Sequence, residues 1–393
     1  MGTFQNDEAR KKVRALTYES FKRYFTVDPT AMTNFSIRLS ESAPQDNAEE
    51  QALDDRSRKF HSNSQPISEF SDGVQAFVGL IAAILSLEHR IILIDEPEAF
   101  LHPSLAYILG NNMTEIAKKR NASLIAATHS SAFLMACISS ATDVSVVRLT
   151  YNNRIATARQ LSSQDLKNMM QDPLLRSTKT LEALFQNAVI ISESDTDRAF
   201  YDEINIRLQS EKRGINQCLF INGQNKQTLS RILEPLRKVG VPAAAISDLD
   251  VFNMNDTNWT DLMSSIGIPQ TEHHKLDSDR KKIISEFDSG SLKTSNAIHK
   301  IGINALSATR SDAQKLIQLL NEYGLFIIPN GELETWLSGL GVGGHGPEWL
   351  VKIFSKLGSD TEDKNYVKPS SNDVWEFMDE ISKWTNNPNR KGT

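Results

Sequence analysis

The segment Ile91-Ile92-Leu93-Ile94-Asp95-Glu96-Pro97 constrains this chain more than any other. Its four apolar residues read as a short buried strand, two carboxylates stand at the strand's end, and a proline closes it. Parallel sheets present ligand-binding groups at the carboxyl ends of their strands. An Asp followed by a Glu at that place suits a magnesium-bound nucleotide. The first carboxylate holds the metal or its water, and the second aligns and deprotonates an attacking water. A bare run of this kind is more often a strand entering a solvated acidic turn. Pro97 and the following Leu101-His102-Pro103 weigh against that.

Strand and helix patterns alternate on either side of this segment, which predicts an α/β chain with parallel sheets. Val74–Leu87 is spaced as a buried helix. Strand 91–94, helix 104–119, strand 123–127, helix 131–138 and strand 144–149 follow, and Asn152-Asn153 divides two extended segments of a hairpin. Residues 164–186 read as a charged helical connector, broken at Asp172-Pro173. A second unit alternates through strand 188–192, helix 195–209, strand 217–221, helix 226–239 and strand 242–247, with a later strand at 325–328. Segment 41–65 is rich in Ser, Asp, Glu and Gln and reads as a loop or mobile arm. Trp349, Trp375 and Trp384 fall on helices of the tail.

Length, at 393 residues, leaves room for two or three domains, and 39% hydrophobic with 23% charged residues fits a soluble globular protein. No apolar run is long enough to span a bilayer, and Met1–Arg23 lacks a signal-peptide core. Cys137 and Cys218 are the only cysteines, which excludes a disulfide framework or a cysteine zinc site and points to a reducing cytoplasm. The net charge of −6 does not advertise nucleic-acid binding, yet a local basic or metal-loaded surface can hold phosphate on an acidic protein.

Three elements surround the opening segment. Ser71-Asp72-Gly73-Val74-Gln75 begins the 74–87 helix, where backbone N–H groups and the helix dipole favour an anion, although Ser71 alone is more often a plain cap. Asp95-Glu96 ends the strand. His129, after Leu124–Thr128, ends the next strand, a place where a histidine is usually a turn residue. In this order the set resembles the ABC-type ATPases, particularly the SMC-like branch that includes the OLD (overcoming lysogenization defect) proteins. The resemblance spans roughly residues 67–150. It implies a signature loop at Ser71, Gly73 and Gln75, a Walker B pair at Asp95 and Glu96, a D-loop at Ala99–Pro103, and a switch histidine at His129. The Gly-x-x-x-x-Gly-Lys-Ser/Thr phosphate loop is missing; Gly341-Val-Gly-Gly-His-Gly346 lacks the Lys-Ser/Thr. The expectation is therefore weak ATP binding, or an ATP site shared with a partner chain that carries the Walker A loop, and an ATPase module whose N-terminal part (residues 1–66) is a remnant or partly disordered.

A second set of acids follows. Glu193 ends strand 188–192, and Asp197 lies one helical turn on. Asp248 and Asp250 end strand 242–247 and share a side by alternation. Gly331-Glu-Leu-Glu334 follows the strand at 325–328. Any one of these acids is more often a cap or a solvated group, but three converging strand ends describe a magnesium or manganese site able to activate water against a phosphodiester. This pattern resembles the TOPRIM fold shared by topoisomerases, primases and OLD nucleases, over about residues 185–350. The resemblance implies Glu193, Asp197, Asp248, Asp250 and Glu334 as metal ligands, with Glu332 next and Glu193 a possible base. It also implies a lysine near the metals, for which Lys352, Lys356 and Lys368 are candidates. Ser194 stands where Gly is common in the family. Alternation aims Ser247 away from Asp248. Lys226 is open to a phosphate contact or a plain turn, His273, His274 and His345 read as surface residues, and Trp336 and Trp349 as packing.

These expectations describe an OLD-type, Mg²⁺- or Mn²⁺-dependent DNA endonuclease joined to an ABC-type ATPase module, serving phage defence or DNA processing. The expected divisions are 1–66, 67–160 (ATPase), 161–186 (connector), 187–350 (TOPRIM) and 351–393 (helical tail). Expected partners are DNA and a homo-oligomer or partner ATPase. The rivals are the same chemistry on RNA, and a non-catalytic subunit that completes a partner's ATP site.

Overall fold

A computed structural model of the protein describes residues 6–392 except 32–33, 87–89, 142, 153, 174, 176–179 and 290–293. Asn153 of the expected hairpin turn and part of the expected connector lie outside the described residues. The fold is mixed α/β, and contacts divide it into Met1–Val144 and Ser145–Thr393. Among the described residues, no helix is long and apolar enough to cross a membrane.

The first unit opens with α1 (Asp7–Phe21) and a small antiparallel sheet of β1 (Tyr24–Asp28), β2 (Ser36–Ser40) and β3 (Gln65–Pro66). Segment 41–65 departs from its loop reading: it carries α2 (Asn47–Gln51) and α3 (Asp55–Ser62). Both start on an aspartate cap, Asp46 accepting from the Glu49 amide and Asp54 from the Ser57 amide. The segment is tied down by Glu50, whose fully buried carboxylate pairs with Arg10 at 2.9 Å and Arg14 at 2.6 Å. Polar composition hid this ordering, because the acid's partners lie on α1, far back in the chain.

Next come α4 (Asp72–Ser86), β4 (Ile91–Asp95), α5 (Pro103–Lys119), β5 (Ser123–Ala127) and α6 (Ser131–Ser140). Strands β4 and β5 pair in parallel, Ile91 opposite Ser123 through Asp95 opposite Ala127. Ile92, Ile94, Leu124 and Ala126 pack on the core of Phe77, Ile81, Leu109 and Met113. The opposite face is bare, with Leu93 71% and Ile125 59% exposed. The expectation of a fully buried strand fails on that side, because among the described residues of this unit helices cover only one face.

In the second unit, β6 (Val146–Asn152) and β7 (Ile155–Leu161) form the hairpin, followed by α7 (Ser163–Gln171) and α8 (Thr180–Ala183). The alternating body is β8 (Ala188–Ser192), α9 (Asp195–Ser210), β9 (Cys218–Asn222), α10 (Leu229–Lys238), β10 (Ala243–Ser247), α11 (Asp256–Ser265), α12 (Gln270–Ser289), α13 (Thr294–Lys300), α14 (Arg310–Glu322) and β11 (Leu325–Ile327). Helices α15 (Gly346–Leu357) and α16 (Asp373–Asn386) close the chain. Four parallel strands lie in the order β11-β10-β8-β9. Residues of β8 and β10 are buried on both faces, the reason these strands read as unbroken apolar runs. One face carries Phe200, Tyr201, Ile204, Trp349 and Trp375, so the helical tail is part of this core. Trp336 Nε1 donates to the Tyr201 hydroxyl at 3.0 Å, and both tryptophans, 336 and 349, pack as expected. Arg237, fully buried, donates to the carbonyls of Ala243, Ile266, Tyr323 and Gly392 and thereby ties the last residues to the sheet.

From β8 the chain steps outward to β9, then returns across β8 to β10 on the other side. The carboxyl ends of β8 and β10 thus flank a topological switch point, where open α/β sheets form their ligand crevice.

Candidate metal centre and nucleotide-type site

Glu193 follows β8 and Asp248 follows β10, so the switch point receives one acid from each side. Asp250 joins them from the short 3₁₀ turn after β10, and one oxygen from each of Glu193, Asp248 and Asp250 lies within 4.8 Å of the others. Ser247 Oγ donates to Glu193 Oε1, and the Asp248 amide donates to the same oxygen at 3.2 Å. Alternation aimed Ser247 away from Asp248, yet its hydroxyl reaches the neighbouring Glu193. Asp248 lies beyond the strand, so the side assigned by counting through it does not carry over.

Burial raises the proton affinity of Glu193 and Asp248, and repulsion from neighbouring carboxylates adds to it. Glu193 is pushed up to about 7, first by burial and then by the Asp250 charge, with the Ser247 hydroxyl and Lys226 pulling the other way. Asp248 is raised well above the usual carboxylate range by burial, Glu193, Asp197 and Asp250. Three half-buried carboxylates that converge in this way could hold a cation, and their hard oxygens fit magnesium or manganese.

The remaining expected ligands separate from this trio. Glu334 groups with Glu332 and His345. His345 Nδ1 lies 2.8 Å from Glu334 Oε1, which also accepts from the Gly346 amide at 2.7 Å. The surface reading of His345 is corrected in this respect, although the ring remains exposed; the glycine-rich run 341–346 before α15 was the available signal. Asp197 accepts from the Ser194 amide at 2.9 Å while Ser194 caps α9, a reciprocal capping box. Ser194 therefore fixes the turn between β8 and α9. Burial, with Glu334 adding repulsion, raises Asp197 to about 6.

His299, from α13, was not foreseen. Its Nδ1 lies 3.5 Å from Glu332 Oε2 and its Nε2 4.0 Å from Asp250 Oδ2, between the two acid groups. Gly331 permits this approach: its φ is +118°, and a Cβ there would collide with the His299 carbonyl oxygen. Of the lysines, Lys352 pairs with Glu348 on the exposed side of α15, and Lys356 and Lys368 are exposed. Lys226, left open between a phosphate contact and a turn, is at the cluster, with Nζ 2.5 Å from Asp250 Oδ2. His274 lies on α12, and His273 Nε2 is 3.0 Å from the Ile268 carbonyl oxygen.

In the first unit, Asp95 ends β4 on its exposed face and Glu96 adopts a left-handed backbone, φ +44°, with its amide bonded to the Ala127 carbonyl. His129 Nε2 lies 3.7 Å from Glu96 Oε1, both exposed. Glu98, not singled out by sequence, holds this arrangement. Its Oε1 accepts from Thr128 Oγ at 2.6 Å and from the His129 amide at 2.8 Å. Gly73 packs against the same turn, where a Cβ would come within 2.6 Å of the Phe100 carbonyl oxygen. Ser71 precedes α4 and is exposed, while Gln75 donates to the Phe70 carbonyl at 2.8 Å. The carboxylate pair and the histidine meet at one edge, with Gly73 behind them.

A strand-end acid pair with a histidine 3.7 Å from its second member, beside the helix that carries Gly73, is the arrangement expected of an ATPase-type site. Comparison with known proteins agrees. Residues 32–136 match the family model described as AAA domain, putative AbiEii toxin, Type IV TA system. The Old nuclease of Escherichia phage P2 is 20% identical over 352 residues, which cover 82% of this chain and 57% of that protein. This chain thus spans little more than half the length of that curated relative. Two solved structures share 12% identity over 42% of the chain. One, from work on ATP-driven dimerization and DNA-stimulated activation of SMC ATPases, is covered to 90% with a TM-score of 0.29. The other, an SmcHead bound to the C-winged helix domain of ScpA, is covered to 45% with a TM-score of 0.31. Likenesses that low do not bear on the details of this fold. The chain is thus similar to an OLD-type nuclease along most of its length, and residues 32–136 resemble an AAA-type ATPase domain.

Proposed function

We propose that the second unit is a TOPRIM-type, divalent-metal phosphodiesterase that cuts or nicks DNA, and that the first unit is an ABC-type nucleotide module that regulates it. The observation that carries this is the trio Glu193, Asp248 and Asp250 at the switch point between β8 and β10. A relative named a nuclease adds support. Glu193, Asp248 and Asp250 would hold one Mg²⁺ or Mn²⁺, and Glu332, Glu334 and His345 would hold a second; the imidazole favours manganese at that place. Bound there, the metal supplies an activated water and neutralises charge on the phosphate. Glu193 would hold the ion as an ionised carboxylate, because the bound charge offsets the burial that otherwise raises its proton affinity. Ser247 fixes the carboxylate that does so. Asp197 holds the first turn of α9 rigid behind the cluster.

Incubation of the purified chain with Mn²⁺ and matched DNA and RNA tests the reading. DNA cleavage that Asp248→Ala lowers by about 100-fold or more is expected. Activity unchanged in Asp248→Ala would overturn it, and cleavage confined to RNA would move the substrate class.

For the first unit, Asp95, Glu96 and His129 stand ready for a nucleotide, and the chain has no phosphate loop to grip one. The bare face of Leu93 and Ile125 favours a shared site, completed by another polypeptide that brings a Walker A loop. The chain alone is expected to bind ATP weakly; tight stoichiometric binding in calorimetry would contradict this. A place in phage defence is part of the same proposal and rests on family resemblance.

A further inference from the structure

Lys226 puts an ammonium inside the carboxylate cluster. Its Nζ lies 2.5 Å from Asp250 Oδ2 and 3.4 Å from the Asp250 carbonyl oxygen. The loop that delivers it is built firmly. The Gly223 amide donates to the Ser192 carbonyl at 2.7 Å, and Asn225 Oδ1 accepts from the Gln227 and Thr228 amides at 3.0 and 3.1 Å. Lys226 thus starts a short 3₁₀ turn anchored to the end of β8, with its side chain 22% exposed at the mouth of the crevice.

Asp250 is also one of the three acids whose oxygens converge for a cation. A divalent ion held by Glu193, Asp248 and Asp250 and an ammonium held by Asp250 draw on the same carboxylate and repel each other. Entry of one weakens the hold of the other. A lysine released from Asp250 keeps its anchored backbone and a flexible four-carbon stem, and the anion within its reach would be a phosphate of bound nucleic acid.

We propose that Lys226 is a metal-released phosphate-binding residue: cation binding at Glu193, Asp248 and Asp250 frees its ammonium from Asp250 to pair with a phosphate oxygen of the nucleic acid. Metal loading and substrate grip are then coupled, each raising the affinity for the other. This rests on the nuclease reading above. The competing account is a purely structural ion pair.

The test uses the full chain and two variants, Lys226→Met and Lys226→Arg, with Asp248→Asn as the control for the site itself. Mn²⁺ affinity without nucleic acid is measured by calorimetry, and duplex DNA affinity by fluorescence anisotropy with and without Ca²⁺, in place of a metal that supports cleavage. Lys226→Met is expected to bind Mn²⁺ about tenfold tighter and to lose most of the Ca²⁺-dependent gain in DNA affinity, whereas Lys226→Arg keeps that gain. Unchanged or weaker Mn²⁺ binding by Lys226→Met, with the Ca²⁺ gain intact, would make the pair structural and overturn the proposal. Should Lys226→Met fail to fold, Lys226→Arg decides: loss of the Ca²⁺ gain there, with Mn²⁺ binding unaltered, overturns it. If Asp248→Asn changes neither Mn²⁺ binding nor cleavage, the nuclease reading itself falls and takes this inference with it.

Discussion

Ser247 Oγ donates a hydrogen bond to Glu193 Oε1, joining the end of β10 to the acid that follows β8. The bond stabilises the ionised carboxylate against the burial that disfavours it. Ser247→Ala should therefore raise the Glu193 pKa further and move the acid limb of the pH–activity profile upward. A hydrogen bond to a charged group contributes about 1.5–3 kcal/mol, so activity on the acid limb should fall at least about tenfold while the alkaline plateau changes little. A profile that does not move would remove Ser247 from the site.

The raised acids make a stability prediction for the metal-free protein. Glu193 and Asp248 bind protons more readily folded than unfolded, so their contribution is fully present below the unfolded carboxylate range and is lost as pH rises through the folded values. The melting temperature of the second unit should thus climb as pH drops from about 8 to about 5. Glu193→Gln should flatten that slope, and Mn²⁺ should restore stability at the alkaline end. Calorimetric scans across pH, with and without metal, read this directly.

Asp197 has a capping role that is independent of any metal. Asp197→Ala should cost about 1 kcal/mol of stability through the lost capping box. It should weaken Mn²⁺ binding less than Asp248→Ala does, because its Oδ2 is already engaged with the Ser194 amide. Equal losses in the two variants would instead make Asp197 a full ligand.

Glu98 latches the loop that bears His129. Removing it in Glu98→Ala leaves the His129 amide and the Thr128 hydroxyl without their acceptor. Hydrogen exchange at residues 128–130 should speed up by roughly tenfold, the expected effect of losing about 1–3 kcal/mol of local protection. An unchanged exchange rate would mean the loop is held by other contacts.

The two faces of β4 should respond oppositely to substitution. Leu93→Ser, on the bare side, should shift stability by less than about 0.5 kcal/mol, whereas Ile94→Ala, against the core, should cost about 2 kcal/mol. Chemical denaturation of the two variants distinguishes them, and a large loss in Leu93→Ser would show that this face is covered in solution.

The alternating apolar runs and the acids that end them were legible in the sequence, because a strand's hydrophobic pattern and its terminal residue are local properties. The placing of Asp95-Glu96, Glu193 and Asp248 at or just past strand ends was legible that way, whereas the class of protein came from a family resemblance. Tertiary structure alone decided which acids share a site. Strand order set Glu193 beside Asp248 at the switch point and placed Glu334 with His345 instead. It brought Lys226, Ser247 and His299 to the cluster from three separate elements, Glu50 into a buried pair with Arg10, and Glu98 under His129. Each of these depends on contacts between residues distant in the chain, and side-chain charge or spacing along the chain does not encode such neighbours. The apolar run 91–94 shows the same divide: its strand character is intrinsic, but whether one face or two are covered depends on which layers the rest of the unit supplies.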